Sequence, residues 1–239
     1  MNLKNEYYVK DFRVLEFDVL ENTMKPLFVP KDKDVVFTDD QKSAKGKGNR
    51  EWKVKKGNLY LTSFLNAKDF KQPFLFTFVA AIAMRRVIES FVGVDKKVQC
   101  KWPNDILIDG KKCVGILLEL DSKTQFLKVA AGVNIIFYPE NVSYAATCLK
   151  EQGSDVCAKE FLDKFVEVFS SCCSEFKAKG FEVIRNEWLK YAYNLRKQIT
   201  VKLDEKEYIG VFEDLDKEGN LVLKLENGAV QKISSGDVF

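Results

Sequence analysis

The stretch Lys101-Trp102-Pro103-Asn104-Asp105-Ile106, followed through Asp109-Gly110-Lys111-Lys112 to Gly115-Ile116-Leu117-Leu118-Glu119, decides how this chain is read. A β-rich run ends in an aromatic, a proline and two turn-forming polar residues, and a second β-rich run starts at once. Asp109-Gly110 is a strong hairpin signal, so the chain returns on itself and carries Lys112 back toward Asn104 and Asp105. On the residues alone, a lysine near a glycine that admits a ligand to the backbone is either an anion site or an exposed strand-start lysine.

Working outward, residues 98–134 read as a three-strand meander, and residues 12–19, 34–37 and 58–64 as earlier strands. The 38–57 loop contains Lys42-Ser43-Ala44-Lys45-Gly46-Lys47-Gly48-Asn49-Arg50, which has little to bury and is expected to be mobile when empty. Gly46 and Gly48 permit positive-φ turns that aim backbone N–H groups at an anion, with charge from Lys45, Lys47 and Arg50. This is not a P-loop, because it runs into Trp52 and a strand rather than a helix. By itself such a loop is more often a solvated linker, and it is the coupling to Trp52 and to the 101–119 hairpin that favours a site.

A helix is predicted over 74–91 after Pro73, and another over 158–179, where Phe161, Leu162, Phe165, Phe169, Cys172, Cys173 and Phe176 share one face before Gly180. Beyond 188–193 the pattern becomes four short alternating strands with a turn at Asn227-Gly228, a small barrel-like unit that begins near 195–197.

With 239 residues and 46% apolar side chains, the chain can bury the core of one large domain or two unequal ones. Its 38 basic and 35 acidic residues balance too closely for a chain built to coat nucleic acid or membrane. Histidine is absent, which excludes Ser-His-Asp and Cys-His relays and histidine-bound zinc. The chemistry therefore falls to Lys, Arg, carboxylates, backbone or bound ligand. Six cysteines without a C-x-x-C pair read as reduced thiols of a cytosolic protein, and Met1-Asn2-Leu3-Lys4 does not begin a signal peptide. The most apolar run, 74–84, falls short of the ~20 residues a membrane helix needs.

The hairpin and the basic loop together resemble the biotin protein ligase family, in a short form without an N-terminal DNA-binding domain. The resemblance is carried by Lys101-Trp102-Pro103-Asn104-Asp105, Lys112 and Gly115-Ile116-Leu117-Leu118-Glu119. It is supported by Ala44-Lys45-Gly46-Lys47-Gly48-Asn49-Arg50-Glu51-Trp52, Gly57-Asn58-Leu59-Tyr60 and Gly132-Val133-Asn134. It implies an α+β fold: a class II synthetase-like catalytic domain with a mixed sheet and flanking helices (1–195), then an SH3-like C-terminal barrel (196–239). The implied activity is two half-reactions, in which MgATP and biotin give biotinyl-5′-AMP and pyrophosphate, and a lysine of a biotin carboxyl carrier domain then takes the biotin.

By match, Lys112 neutralises the two anions that meet in the first step, with Lys47 near carboxylate and phosphate as the second catalytic cation. Thr23, Gln41, Lys45, Gly46 and Gly115 join Lys112 around biotin. Lys47, Gly48, Arg50, Trp52, Asn104, Asp105 and Asn134 surround the nucleotide, with Mg²⁺ near Asp105. The family's first loop glycine is Ala44 here, its arginine is Lys47, and its Ser-Thr-Asn is Asn22-Thr23-Met24. The expected partners are a biotin-dependent carboxylase's carrier domain, biotin and ATP, with no DNA and no membrane. The expected state is a cytoplasmic monomer or homodimer. Two rivals remain: a lipoate or octanoate ligase of the same fold, against which Gln41 and the intact Lys-Trp-Pro-Asn-Asp argue, and a non-catalytic nucleic-acid binder, in which Lys112 has no purpose.

Overall fold

The strands of residues 3–133 build one large sheet rather than several small ones. The computed structural model describes residues 2–48, 50–203 and 205–239. Its strands are β1 (Leu3–Val9), β2 (Phe12–Phe17), β3 (Asp34–Thr38), β4 (Leu59–Asn66), β5 (Val98–Lys101), β6 (Asp105–Ile108), β7 (Lys111–Leu120) and β8 (Phe126–Val133), in the order β1-β2-β3-β4-β8-β7-β6-β5. Only the β2–β3 pair is parallel.

Alternation along each strand sends one set of side chains to a helical layer: α1 (Phe76–Phe91), α2 (Ala158–Lys179) and α3 (Phe181–Lys190). Leu61, Val129, Ile116 and Ile106 meet the helices in the main core, where Val79, Ile82, Val87 and Phe165 are fully buried. The other face is covered only beside β1 to β4, by a smaller cluster of Leu15, Phe17, Leu20, Val36 and Phe64 with Phe28 and Phe126 against it. The remaining half of that face is left to the site.

A second, antiparallel sheet contains β9 (Gln198–Leu203), β10 (Lys206–Leu215), β11 (Leu221–Leu225), β12 (Val230–Ile233) and β13 (Asp237–Val238), in the order β12-β11-β10-β9-β13. Its core is continuous with the main one. Phe212 packs edge-on against Trp188 at 6.3 Å, and Trp102 Nε1 donates to the Gly219 carbonyl at 3.2 Å. Gly219, at φ +80°, leans against Phe78 of α1 so closely that a Cβ would stand 2.5 Å from that ring.

Four elements depart from the sequence reading. The 98–134 segment makes four strands, not three, because β5 and β6 are too short to show a period. The first strand begins at Leu3: β1 is a charged edge strand whose residues are mostly exposed, so no apolar alternation marks it. Gly180 both ends α2 and precedes α3, and the sequence reading stopped at the first of these roles. The two-residue β13 returns beside β9 as a fifth strand of the small sheet. No disulfide occurs among the described residues; Cys100, Cys113, Cys148 and Cys172 are buried.

Candidate active site

One row of cross-strand neighbours forms the floor: Thr38 opposite Tyr60, Tyr60 opposite Gly132, Gly132 opposite Gly115, Gly115 opposite Asp105, and Asp105 opposite Lys101. All except Thr38 line a cavity of about 470 Å³ on the sheet face away from the helices. That volume suits a small organic ligand. The floor grades from hydroxyls through a glycine trough to charge.

Lys112 reaches this floor through an irregularity. It lies three positions before Gly115, a spacing that regular alternation would send to opposite faces. The β6–β7 register shifts between Ile106 and Leu107, so that Lys112 opposes Leu107 while Gly115 opposes Asp105. The extra residue is Cys113, buried beside Val114 in the main core. Lys112 Nζ then lies 2.7 Å from Asp105 Oδ1, 5.3 Å from the Trp52 ring centroid and 5.1 Å from that of Tyr144. The Asp105 contact is an ion pair at hydrogen-bond distance whose alignment leaves Oδ1 without a formal hydrogen bond. The main chain of Lys112 is fixed from the other side, donating to Ala145 at 2.8 Å and accepting from Thr147 at 2.9 Å.

The basic loop folds as a hairpin. Lys45 bridges Glu51, Trp52 N–H donates to the Ala44 carbonyl at 2.9 Å, and Gly46 N–H donates to the Arg50 carbonyl at 2.8 Å. Of its two glycines only Gly48 takes a positive φ, +68°. The hairpin lays the Trp52 indole on the glycine trough: a Cβ on either Gly115 or Gly132 would stand 2.6 Å from it. Far from dangling, the loop is tied to the second sheet. Arg50 makes a two-point contact with Asp237 at 2.9 and 3.1 Å, and Lys47 Nζ donates to the Gly236 carbonyl at 2.6 Å while lying 5.7 Å from the Trp102 ring centroid. Burial lowers the pKa of Lys47.

At the opposite end the groups are neutral and already joined. Gln41 Oε1 accepts from Thr23 N–H at 2.8 Å, Gln41 Nε2 donates to the Ser43 carbonyl at 2.8 Å, and Thr62 Oγ1 donates to Thr23 Oγ1 at 2.9 Å. That last bond leaves the Thr23 hydroxyl proton available to a ligand.

The cavity thus brings together Thr23, Gln41, Lys45, Gly46, Lys47, Arg50, Trp52, Asn104, Asp105, Lys112 and Gly115. Asn104 holds the β5–β6 turn onto β7, its Nδ2 donating to the Ile116 carbonyl at 2.5 Å. Gly48 sits at the hairpin tip and does not line the cavity. Nor does Asn134, which is buried and donates to the Thr147 carbonyl at 3.0 Å, bracing the segment that carries Tyr144. Gly115 makes room for an aromatic ring, where the sequence reading had biotin against the strand backbone. The sequence reading missed Thr62, Tyr144 and Asp237: Thr62 resembles any strand threonine, and the others approach from separate segments with no linear signature. Among the described residues no three His, Cys, Asp or Glu side chains cluster to hold a metal.

An antiparallel hairpin carrying an ion-paired lysine beside a glycine trough, under a basic loop, is a site that can bring an anionic ligand against a fixed cation. Residues 18–135 match the Biotin/lipoate A/B protein ligase family and residues 197–239 the biotin protein ligase C-terminal domain. The biotin--[acetyl-CoA-carboxylase] ligase of Paracoccus denitrificans is 31% identical over 214 residues, covering 85% of this chain and 89% of that one. The bifunctional ligase/repressor BirA of Escherichia coli is 25% identical over 216 residues, and the match spans 66% of its length. The structure of biotin protein ligase from Aquifex aeolicus in complex with biotin and ATP superposes with a TM-score of 0.84 at 26% identity, covering 95% of this chain and 97% of that one. The chain belongs to the biotin protein ligase family, and it is a ligase enzyme.

Proposed function

We propose that the cavity joins biotin to ATP as biotinyl-5′-AMP and that Lys112 is the cation at the point of reaction. The observation that carries this reading is the position of Lys112, between the neutral Thr23–Gln41–Thr62 end and the charged Asp105–Arg50 end. A ureido ring takes the hydroxyl and amide groups, the valeryl chain runs along the trough beside Trp52, and the carboxylate meets Lys112. The carboxylate oxygen attacks the α-phosphorus, and pyrophosphate departs with the bonding electron pair. Two anions must approach in this step. A lysine fixed by backbone bonds and two aromatic rings lowers that repulsion without reorganising at the moment of reaction. Lys112 then exchanges Asp105 for the incoming anions.

Asp105, with one oxygen lacking a hydrogen bond, suits a single-carboxylate contact to a magnesium ion that arrives on the ATP phosphates. Magnesium supplies charge neutralisation there. Trp52 and the Ala44–Trp52 hairpin cover the adenylate, with Lys45, Gly46, Lys47 and Gly48 along it. Asn104 borders the nucleotide, and Asn134 acts by bracing the Tyr144 segment. In the second half-reaction the amine of a lysine on a biotin carboxyl carrier domain attacks the mixed anhydride and AMP leaves. We place residues 1–195 in the catalytic domain and 196–239 in the C-terminal one. The buried free thiols suit a reducing compartment, and no described helix is long and apolar enough to cross a membrane.

The test is biotin-dependent pyrophosphate release from ATP, with mass spectrometry of the retained product. Biotinyl-AMP is the expected product, and faster release with lipoate or octanoate than with biotin would overturn the reading.

A further inference from the structure

The cations of this chain are not spread evenly. Residues 42–56 carry six lysines and Arg50 against one carboxylate, Glu51, although the whole chain is only +3. Three of these cations, Lys45, Lys47 and Arg50, line the cavity. Lys53, Lys55 and Lys56 do not: they follow Trp52, lie outside the cavity lining and are exposed. Lys53 pairs with Glu51 at 2.7 Å and Lys56 with Asp40 at 3.7 Å. Lys55 makes no ion pair among the described residues, and its ammonium lies 6.0 Å from the Phe137 ring centroid. Exposed pairs of this kind contribute little to folding, so all three ammonium groups are open to exchange with a partner's carboxylates.

The backbone under these lysines is fixed more firmly than a solvated linker requires. Tyr60, buried in the cavity floor, accepts from the Lys55 N–H at 2.7 Å and donates to the Lys55 carbonyl at 3.0 Å. Asn58 is buried too: its Oδ1 accepts from the N–H groups of Ile135, Ile136 and Phe137 at 3.0, 3.0 and 3.1 Å, and its Nδ2 donates to the Phe137 carbonyl at 2.9 Å. Gly57, at φ +94°, lets Ile136 lie against its Cα, where a Cβ would collide with that side chain. These contacts join the segment that enters β4 to the one that leaves β8, beside the Tyr60–Gly132 pair of the floor. The product is one surface, with Ile136 48% exposed at its centre, Lys55 over Phe137, and Lys56 and Lys53 next along the chain. The facing segment, 134–147, has a single charge, Glu140. An apolar centre with a charged border, held in place before any partner arrives, is the anatomy of a protein-docking patch.

Resting on the function proposed above, we infer that this patch docks the acceptor protein in the second half-reaction, and that the acceptor surface it takes is acidic. The patch begins one residue after Trp52, whose ring centroid lies 5.3 Å from Lys112 Nζ, and the 134–147 segment runs on from Ile136 to Tyr144, whose ring centroid is 5.1 Å from the same nitrogen. A protein that presents a lysine amine to the mixed anhydride at Lys112 therefore passes over residues 53–56 and 136–137. Its amine approaches a mouth already crowded with cations. Carboxylates around that amine offset the repulsion, meet Lys53, Lys55 and Lys56, and raise the encounter rate. The patch binds and orients the acceptor and takes no part in bond making.

The test uses the full chain with Lys53→Glu, Lys55→Glu and Lys56→Glu combined, and separately Ile136→Ser, against a biotin carboxyl carrier domain whose target lysine is flanked by carboxylates. In the charge-reversed chain the KM for the carrier domain is expected to rise by at least ~10-fold, and its dependence on salt to weaken. Ile136→Ser should raise that KM by a similar factor at low and high salt alike, because an apolar contact is not screened. Adenylate synthesis should stay within about twofold of the parent, and so should transfer of the biotinyl group to hydroxylamine, an amine with no surface to dock. A carrier domain with its flanking carboxylates changed to lysine should reverse the preference and favour the charge-reversed chain. An unchanged KM for the carrier domain would overturn the inference, and so would equal losses with carrier domain and hydroxylamine, since they indicate a distorted cavity. Fluorescence anisotropy of the labelled carrier domain, titrated with each chain in the absence of ATP, keeps the two proposals apart. If the parent binds the carrier through these lysines but forms no biotinyl-AMP, the biotin reading fails and the docking assignment stands. If the parent forms biotinyl-AMP and both chains bind and modify the carrier equally, only the docking assignment fails.

Discussion

The two ends of the cavity are built on different principles. At the Thr23 end, Gln41, Thr62 and the Thr23 backbone form a neutral network that is buried and already joined before any ligand arrives. At the Lys112 end, charges are held by partners they can release: Asp105 for Lys112 and Asp237 for Arg50. A neutral network in a buried place is rigid and selects by shape and hydrogen bonding, because an analogue that cannot complete it leaves polar groups unpaired. An ion pair at a cavity wall can be exchanged for a stronger one when phosphate enters. On the proposed function, recognition belongs to one end and reaction to the other, with the glycine trough as the bridge between them.

The largest expected effect is at the reactive end. Lys112→Ala should cut adenylate formation by ~100-fold or more, the loss of one preorganised charge contact, with little change in biotin affinity. Pre-steady-state pyrophosphate release beside a biotin titration measures both, and a variant that loses biotin binding and rate together would erase the division between the ends.

Next comes the bridge. Gly132→Val places a branched side chain where a Cβ alone would already stand 2.6 Å from the indole, so Trp52 must leave the trough. Biotin affinity should fall by at least ~10-fold, the scale of an overpacked contact of 1–3 kcal/mol, and Trp52 should become more exposed to quenchers. Normal affinity with a displaced indole would show that Trp52 is not part of the biotin path.

Thr23→Val sharpens the recognising end. It removes the acceptor for Thr62 and the free hydroxyl proton together, so biotin affinity should fall by roughly 10-fold. The turnover rate at saturating biotin should hardly change; a fall in that rate with intact affinity would move Thr23 to the reactive end.

The smallest effect is expected at the latch. Arg50 and Asp237 are both substantially exposed, so Asp237→Ala should raise the ATP KM by only about two- to fivefold, the range of a surface ion pair. The difference should shrink in high salt. Trypsin cleavage after Lys45, Lys47 or Arg50 should be faster in this variant, and biotin plus ATP should protect the loop in both proteins. An effect that persists in high salt would mean that Asp237 contacts something other than Arg50.

Much of this was legible from residues near one another in sequence. The Asp109-Gly110 turn brought Lys112 back toward Asp105, and the 3.6-residue period of Phe161, Leu162, Phe165 and Phe169 placed α2 residue for residue. The reading weakened wherever a segment was too short for a period, as at β5 and β13, or too exposed for an apolar pattern, as at β1. Within the site, the Thr23, Gln41 and Lys112 assignments came from motif resemblance, whereas the exclusion of histidine chemistry needed composition alone.

By itself, then, the sequence determined what depends on local order: the hairpin, the long helices, the basic loop ending in Trp52, and the family they signal. The tertiary structure decided three things that local order cannot encode. The bulge at Cys113 turned Lys112 to the same face as Gly115, although their spacing predicts opposite faces, because register belongs to a pair of strands and not to one. The second sheet supplied Gly236 and Asp237 to Lys47 and Arg50 across nearly the whole length of the chain, a contact that exists only after both sheets have packed on α1 and α3. Burial left Lys101 half out of water at the cavity wall and lowered its pKa, an environment assembled by packing and not written in the residues beside it.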